Sequence, residues 1–215
     1  MMGKKTQNIA IIDYGMGNLH SVSKALQRVS PEAKVLITSD AKIINTADRI
    51  VFPGVGAIGD CMTEIIRLEL DSALAAAVRN KPVLAICVGM QALMKHSEES
   101  GGVECLGFLP GNVKRFRGEI TEGPRLKVPH MGWNEVYQTK SHALWRGIEQ
   151  NSRMYFVHSY YVEVENSALN AGVCNYGVPF SAALACENLF AVQFHPEKSA
   201  GDGLQMLENF AEWNI

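Results

Sequence analysis

Hydrophobic positions in the first half of the chain fall in short unbroken runs separated by amphipathic stretches. Asn8-Ile-Ala-Ile-Ile-Asp13, Lys34-Val-Leu-Ile-Thr38, Arg49-Ile-Val-Phe52 and Val83-Leu-Ala-Ile-Cys87 each read as a buried strand. Residues 19–29 carry helical periodicity, as does a longer stretch, 61–79, through Ile65, Leu68, Leu74 and Val78. Residues 41–46 read as a short helix, and Pro53-Gly-Val-Gly56 breaks the chain after the third strand. Strands alternating with helices predict an α/β fold with a mostly parallel sheet and helices on both faces. Ligands bind such sheets at the carboxyl ends of the strands. Asp13, Pro53 and Cys87 all fall there.

The pattern changes after Cys87. A helix is expected from there to about residue 96, ended by Ser97-Glu-Glu-Ser-Gly-Gly102. Residues 108–116, 127–137, 154–164, 171–176, 181–186 and 190–194 are strand-like pieces between turn residues, which suggests hairpins added to the parallel core. Residues 204–213 read as a closing amphipathic helix. No repeat, low-complexity tract or linker appears, so a single domain over residues 1–215 is expected.

Composition narrows the field only modestly. Of 215 residues, 47% are hydrophobic and 20% charged, as in an ordinary water-soluble globule. A formal net charge of -2 carries no polyanion-binding signature, so nucleic acid is not an expected partner. No apolar run is long enough to span a bilayer. The basic start Met1-Met2-Gly3-Lys4-Lys5 is followed by no signal-like cleavage site. Five cysteines, with no Cys-x-x-Cys pair, point to reduced thiols in the cytoplasm, and Cys61, Cys105, Cys174 and Cys186 read as packing residues.

Cys87 is different because it closes a strand and opens a helix, with Ala85 and Gly89 two residues to either side. Small neighbours suit the strained strand-to-helix turn of a nucleophile elbow. The helix N-terminus there favours a thiolate. Taken alone, a small apolar residue filling a strand end is the more ordinary reading, and the other segments shift it.

A second segment, Ala191-Val-Gln-Phe-His195-Pro-Glu197, ends a strand at His195. In an extended chain residues i and i+2 project to the same side, so His195 and Glu197 can face one pocket. A thiol nucleophile needs such a pair, a base and an acid group to orient it. A solvated pair at a strand end is the alternative.

Around Val55, the glycines of Pro53-Gly-Val-Gly56 can present amide N–H groups to a ligand, or swing between two conformations. With the N–H of Val88 they can form an oxyanion hole, unless the segment is simply a Pro-Gly turn. Tyr14-Gly-Met-Gly-Asn18 lacks the third glycine of a dinucleotide loop, since position 20 is His20. His20, His96 and His142 show no metal-ligand spacing and read as surface residues. His130 and His158 lie in strand-like segments and are read as possible core histidines. No metal and no cofactor are called for.

These segments resemble a known family. Phe52-Pro-Gly-Val-Gly56, Cys87-Val-Gly-Met-Gln91 and Gln193-Phe-His-Pro-Glu197 look like the three signatures of class I, triad-type glutamine amidotransferases. Four further matches narrow the resemblance: Ile12-Asp-Tyr-Gly-Met-Gly-Asn18, Val128-Pro-His-Met-Gly-Trp-Asn134, Tyr155-Phe-Val-His-Ser-Tyr160 and Phe194-His-Pro-Glu-Lys-Ser199. Together they are similar to the glutaminase subunits of imidazole glycerol phosphate synthase, from residue 9 to about 210.

The resemblance implies a flavodoxin-like α/β glutaminase that hydrolyses L-glutamine to glutamate and ammonia. Cys87 would form a glutamyl thioester, His195 would serve as base and then acid, and Glu197 would orient His195. Gln91, Glu99, Ser159 and Tyr160 would hold the glutamine, and Val55, Gly56 and Val88 would supply the oxyanion site. The implied partner is a (β/α)₈ cyclase subunit, joined as a heterodimer. There the ammonia would convert PRFAR, an aminoimidazole-carboxamide ribonucleotide intermediate, to imidazole glycerol phosphate and AICAR in histidine biosynthesis. Asn18, Tyr155 and Lys198 match positions expected at that interface.

This sequence departs from the family pattern at three points. Ala85 stands for a usual glycine, Val88 for a common leucine, and Ala57 for a larger residue. Alternative readings are a paralogous glutaminase feeding another synthase, such as a sugar-aminating enzyme, a catalytically silent regulatory subunit, or a free-standing cysteine peptidase.

Overall fold

The computed structural model describes residues 6–117 and 126–215 of the chain. The basic start at residues 1–5 lies outside them. The first half runs β1 (Asn8–Ile12), α1 (Leu19–Val29), β2 (Lys34–Thr38), α2 (Ala41–Thr46), β3 (Arg49–Gly54), α3 (Ile58–Arg67), α4 (Leu70–Asn80), β4 (Val83–Cys87) and α5 (Val88–Ala92). The second half adds β5 (His96–Ser97), β6 (Val103–Glu104), β7 (Gly111–Arg115), β8 (His130–Glu135), β9 (Tyr137–Gln138), β10 (Arg153–His158) and β11 (Tyr160–Val164). It closes with β12 (Asn170–Tyr176), β13 (Val178–Cys186), β14 (Leu189–Val192) and α6 (Ala200–Glu212).

The large sheet orders its strands β2-β1-β3-β4-β14-β13-β11-β7-β5-β6, and β2 through β14 are parallel. Right-handed crossovers require the β1–β2 helix on one face and the β2–β3 and β3–β4 helices on the other. Accordingly α1 packs on α6, while α2, α3, α4 and α5 pack among themselves. Strands β1, β3, β4 and β14 lie between these layers, which is why they read as continuous apolar runs. Beyond β14 the sheet turns antiparallel through β13, β11 and β7.

Several sequence expectations are corrected. The helix expected over residues 61–79 is two helices, broken at Glu69, whose φ of 54° puts a non-glycine residue in the left-handed region. The helix after Cys87 ends at Ala92 rather than near residue 96. A returning segment takes its carbonyls, with Leu106 N–H on Ala92, Leu109 N–H on Leu93 and Gly107 N–H on Met94. Residues 154–164 are two strands: β10 pairs with β8 in a separate two-stranded sheet, and β11 joins the large one. Residues 127–137 likewise divide between β8 and β9.

Pro53 does not break the third strand. It sits within β3, opposite Ile86 of β4. On the other side β1 has stopped pairing at Ile11, and the Pro53 carbonyl receives the Tyr14 hydroxyl at 2.8 Å instead. A proline at that point therefore removes no ladder bond.

Candidate active site

Strands β3, β4 and β14 end side by side, with Gly54 level with Cys87 and Val192 level with Ile86. Cys87 is 4% exposed, and its backbone takes φ 55°, ψ −111°. That conformation costs an L-residue about 1–3 kcal/mol and marks a site held by its surroundings. Immediately after it α5 starts, so the Val88 N–H is among the first donors of a helix and has no partner within it. The small residues are explained by contact: a methyl group on Gly89 would meet the Phe52 carbonyl, and one on Gly54 would lie 2.3 Å from the Tyr14 hydroxyl oxygen.

His195 follows β14, and Glu197 lies in the short 3-10 turn Pro196–Lys198. The His195 N–H donates to the Tyr155 carbonyl at 2.9 Å, and the Ser199 hydroxyl donates to the His195 carbonyl at 2.7 Å. Ser199 Oγ in turn accepts the Tyr155 N–H, so β10 clamps the backbone of His195.

His195 Nδ1 donates to Glu197 Oε1 at 2.9 Å, with both side chains at most 3% exposed. His195 Nε2 and Glu197 Oε2 are buried with no hydrogen-bond partner. Burial disfavours the imidazolium, but the neighbouring Cys87 sulfur and the hydrogen-bonded Glu197 carboxylate outweigh it and raise the His195 pKa to about 10. An imidazolium facing a sulfur is suited to hold a thiolate and to protonate a leaving amine.

The other expected residues divide into groups. Gln91, on α5, donates through Nε2 to the Tyr160 carbonyl and to Gln193 Oε1, each at 3.0 Å. Glu99 caps α3 by accepting the Ile58 N–H at 2.9 Å, and the Ser159 carbonyl accepts from Phe116. Val55 and Gly56 are exposed on the loop after β3. Gly56 has φ 94° and no close neighbour, the Met16 sulfur lying 4.0 Å from where a Cβ would stand, whereas Gly54 is locked in the strand, so the conformational freedom expected of both belongs to Gly56. Lys198 Nζ lies 5.9 Å from the centre of the Tyr155 ring, and Tyr155 meets Trp133 edge-on. Asn18 is exposed at the start of α1.

Some roles were missed from sequence. Gln193, fully buried, donates to Cys87 Sγ at 3.6 Å. Tyr14 props the Pro53 carbonyl, and burial, with Cys61 beside it, pushes its pKa well above the usual tyrosine value. His130 Nδ1 and His158 Nε2 lie 2.9 Å apart. Burial lowers these two histidines to about 4 and about 3 respectively. Asp13, at the end of β1, accepts the Gly15 N–H on its carboxylate in a turn, and its own N–H donates to the Thr38 carbonyl. His142, expected at the surface, is half-buried against Phe190 and Trp213 and accepts the Leu144 N–H. Gln193 carried one available signal, a polar residue inside an apolar strand end. All five cysteines are free. Among the described residues no helix is long and apolar enough to cross a membrane.

The model of the class-I glutamine amidotransferase family matches residues 10–213. The imidazole glycerol phosphate synthase subunit HisH of Pseudomonas savastanoi pv. phaseolicola is 58% identical over 209 residues, covering 97% of this chain and 98% of the relative. The HisH subunit of Dechloromonas aromatica is 58% identical over 210 residues, covering 96% and 97%. Among solved structures, a GMP synthase protein of Thermoplasma acidophilum superposes with a TM-score of 0.72 at 18% identity, covering 97% of this chain and 94% of that one. A glutamine amidotransferase structure gives 0.68 at 15% identity, covering 94% and 98%. At such identities the likeness shows a shared fold.

Proposed function

The chain belongs to the class-I glutamine amidotransferases and, within them, to the HisH subunits of imidazole glycerol phosphate synthase, and from that premise we propose that it hydrolyses L-glutamine at Cys87 and hands the ammonia to a cyclase partner. The observation that carries this reading is the strained Cys87 elbow beside a buried His195–Glu197 pair whose free Nε2 has no other partner.

In the proposed cycle the Cys87 thiolate attacks the side-chain amide carbon of glutamine. The oxyanion that forms is met by the Val88 N–H and by N–H groups of Val55 and Gly56. His195 Nε2–H passes its proton to the departing nitrogen, the C–N bond breaks and ammonia leaves a thioester on Cys87. Water then attacks that thioester while Nε2 takes its proton, and the C–S bond breaks to give glutamate. Glu197 holds Nδ1 throughout and stabilises the imidazolium.

Gln91, Glu99, Ser159 and Tyr160 contact the glutamine in this reading. Asn18, Tyr155 and Lys198 face the partner, a (β/α)₈ cyclase that uses the ammonia to turn PRFAR into imidazole glycerol phosphate and AICAR. One amidotransferase domain working in the cytoplasm suffices for this. Identity of 58% across almost the whole chain favours this acceptor over that of a sugar-aminating paralogue. An intact Cys87, His195 and Glu197 argue against a silent family member.

The test is glutamine-driven against ammonium-driven synthesis by the complex with the cyclase. Cys87→Ala should abolish the first and spare the second. Glutamine-driven turnover by that variant would overturn the reading.

A further inference from the structure

The side chain of Gln193 is fully buried, and its amide lies between two other groups of the site. Nε2 is 3.6 Å from Cys87 Sγ, and Oε1 is 3.0 Å from Gln91 Nε2. An amide assigned by shape alone can be turned end for end, so its direction must come from its partners. Here one partner has no choice. The Tyr160 carbonyl can only accept, so the end of Gln91 beside it must be the NH₂ group. That NH₂ spends its second hydrogen on Gln193, which must then present oxygen to Gln91 and N–H to the sulfur.

The Tyr160 carbonyl is itself fixed. His158 Nδ1, 2.7 Å away, must donate to it, so His158 Nε2 accepts from His130 Nδ1, and His130 Nε2 accepts from Asn134 Nδ2 at 3.3 Å. Both imidazoles are thereby neutral with one tautomer each, as their burial also demands.

We infer that Gln193 is a positioning residue for the nucleophile, its N–H held on the Cys87 sulfur by the fixed order of bonds through Gln91 and the Tyr160 carbonyl. The inference deepens the glutaminase reading and rests on it. A donor on the sulfur favours the thiolate over the thiol. It also fixes the direction of the sulfur, leaving its remaining lone pairs for His195 and the incoming amide.

Other ionisable groups around Cys87 are His195 after β14, with Glu197 behind it, Tyr14 after β1 and Cys61 on α3. Tyr14 and Cys61 have raised pKa values, Cys61 at about 11, and both are neutral near neutral pH. His195 and Gln193 are therefore the groups that bear on the thiolate there.

The experiment compares the wild-type chain, Gln193→Met and the isosteric Gln193→Glu, each in complex with the cyclase. Alkylation of Cys87 by iodoacetamide is followed across pH on the peptide that contains it, alongside kcat and KM for glutamine. Removing the donor should move the alkylation midpoint upward by about one pH unit and lower kcat roughly tenfold to a hundredfold with KM little changed. Gln193→Glu should move it further, because a carboxylate then faces the thiolate. Should Gln193→Met fail to assemble, the Glu variant makes the same comparison. Midpoints that coincide with wild type, whatever kcat does, would overturn the inference. If wild-type Cys87 alkylates but hydrolyses no glutamine, the glutaminase reading fails instead, and the alkylation series still judges Gln193.

Discussion

Gly89 lies so close to Phe52 that a methyl group on it would stand 2.0 Å from the Phe52 carbonyl oxygen. Helix α5 is thus seated directly on the backbone of β3, and this seating sets where Cys87, two residues earlier, points. Backbone cannot yield as a flexible side chain can, so Gly89→Ala should cost about 3 kcal/mol. Thermal unfolding should show a Tm lower by on the order of 10 °C for a chain of this size. Glutaminase activity of the complex should fall with it. An unchanged Tm would mean that α5 shifts freely on β3.

The His195–Glu197 pair leads to a prediction about pH. The folded pKa of His195, about 10, exceeds the ordinary 6.5, so the pair's contribution to stability is whole below about pH 6.5 and fades as pH rises towards 10. Glu197→Gln removes part of that contribution. Urea unfolding at a series of pH values should therefore find the gap between wild type and variant widest below pH 6.5 and narrowing above it. A gap that widens with rising pH contradicts the assigned charge state. In activity, His195→Ala should be at least as damaging as Glu197→Gln, since in the proposed cycle only His195 exchanges protons.

Gly56 takes φ 94° with nothing crowding it, so a β-branched residue there meets backbone strain rather than a clash. If the Val55–Gly56 loop completes the oxyanion site when the partner docks, one donor there is worth roughly a hundredfold to a thousandfold in rate. Gly56→Val should shrink the ratio of glutaminase rates, liganded complex over free chain, by about that factor. Cys87 alkylation should be unaffected. A preserved ratio would leave the loop an ordinary turn.

The parts of this molecule legible in its sequence are those whose physics is local. The first four strands follow from apolar runs and α1 from periodicity, while the structure shows α2 capped by Asp40, which accepts the Lys42 N–H. The proposed nucleophile and its proposed base stood out in sequence because Cys87 closes a strand beside a helix start, and because His195 and Glu197 stand two residues apart. What was missed depends on distant chain. Glu69 is neither glycine nor proline, so nothing local announced the break between α3 and α4. The return of residues 106–109 ends α5, and the partners of Ser159's two flanking strands decide that they part there. Gln193 reaches Gln91 across 102 positions of sequence, a pairing no periodicity encodes.

The proposed chemistry turns on a covalent intermediate at one sulfur, and acid quenching can trap it. The complex with the cyclase and its ligand, turning over labelled glutamine, is stopped in acid, digested and its peptides separated. Glutamyl label is expected on the peptide carrying Cys87, lost on treatment with hydroxylamine and absent from Cys87→Ala. Label on Cys61, Cys105, Cys174 or Cys186, or glutamine hydrolysis undiminished in Cys87→Ala, would contradict it.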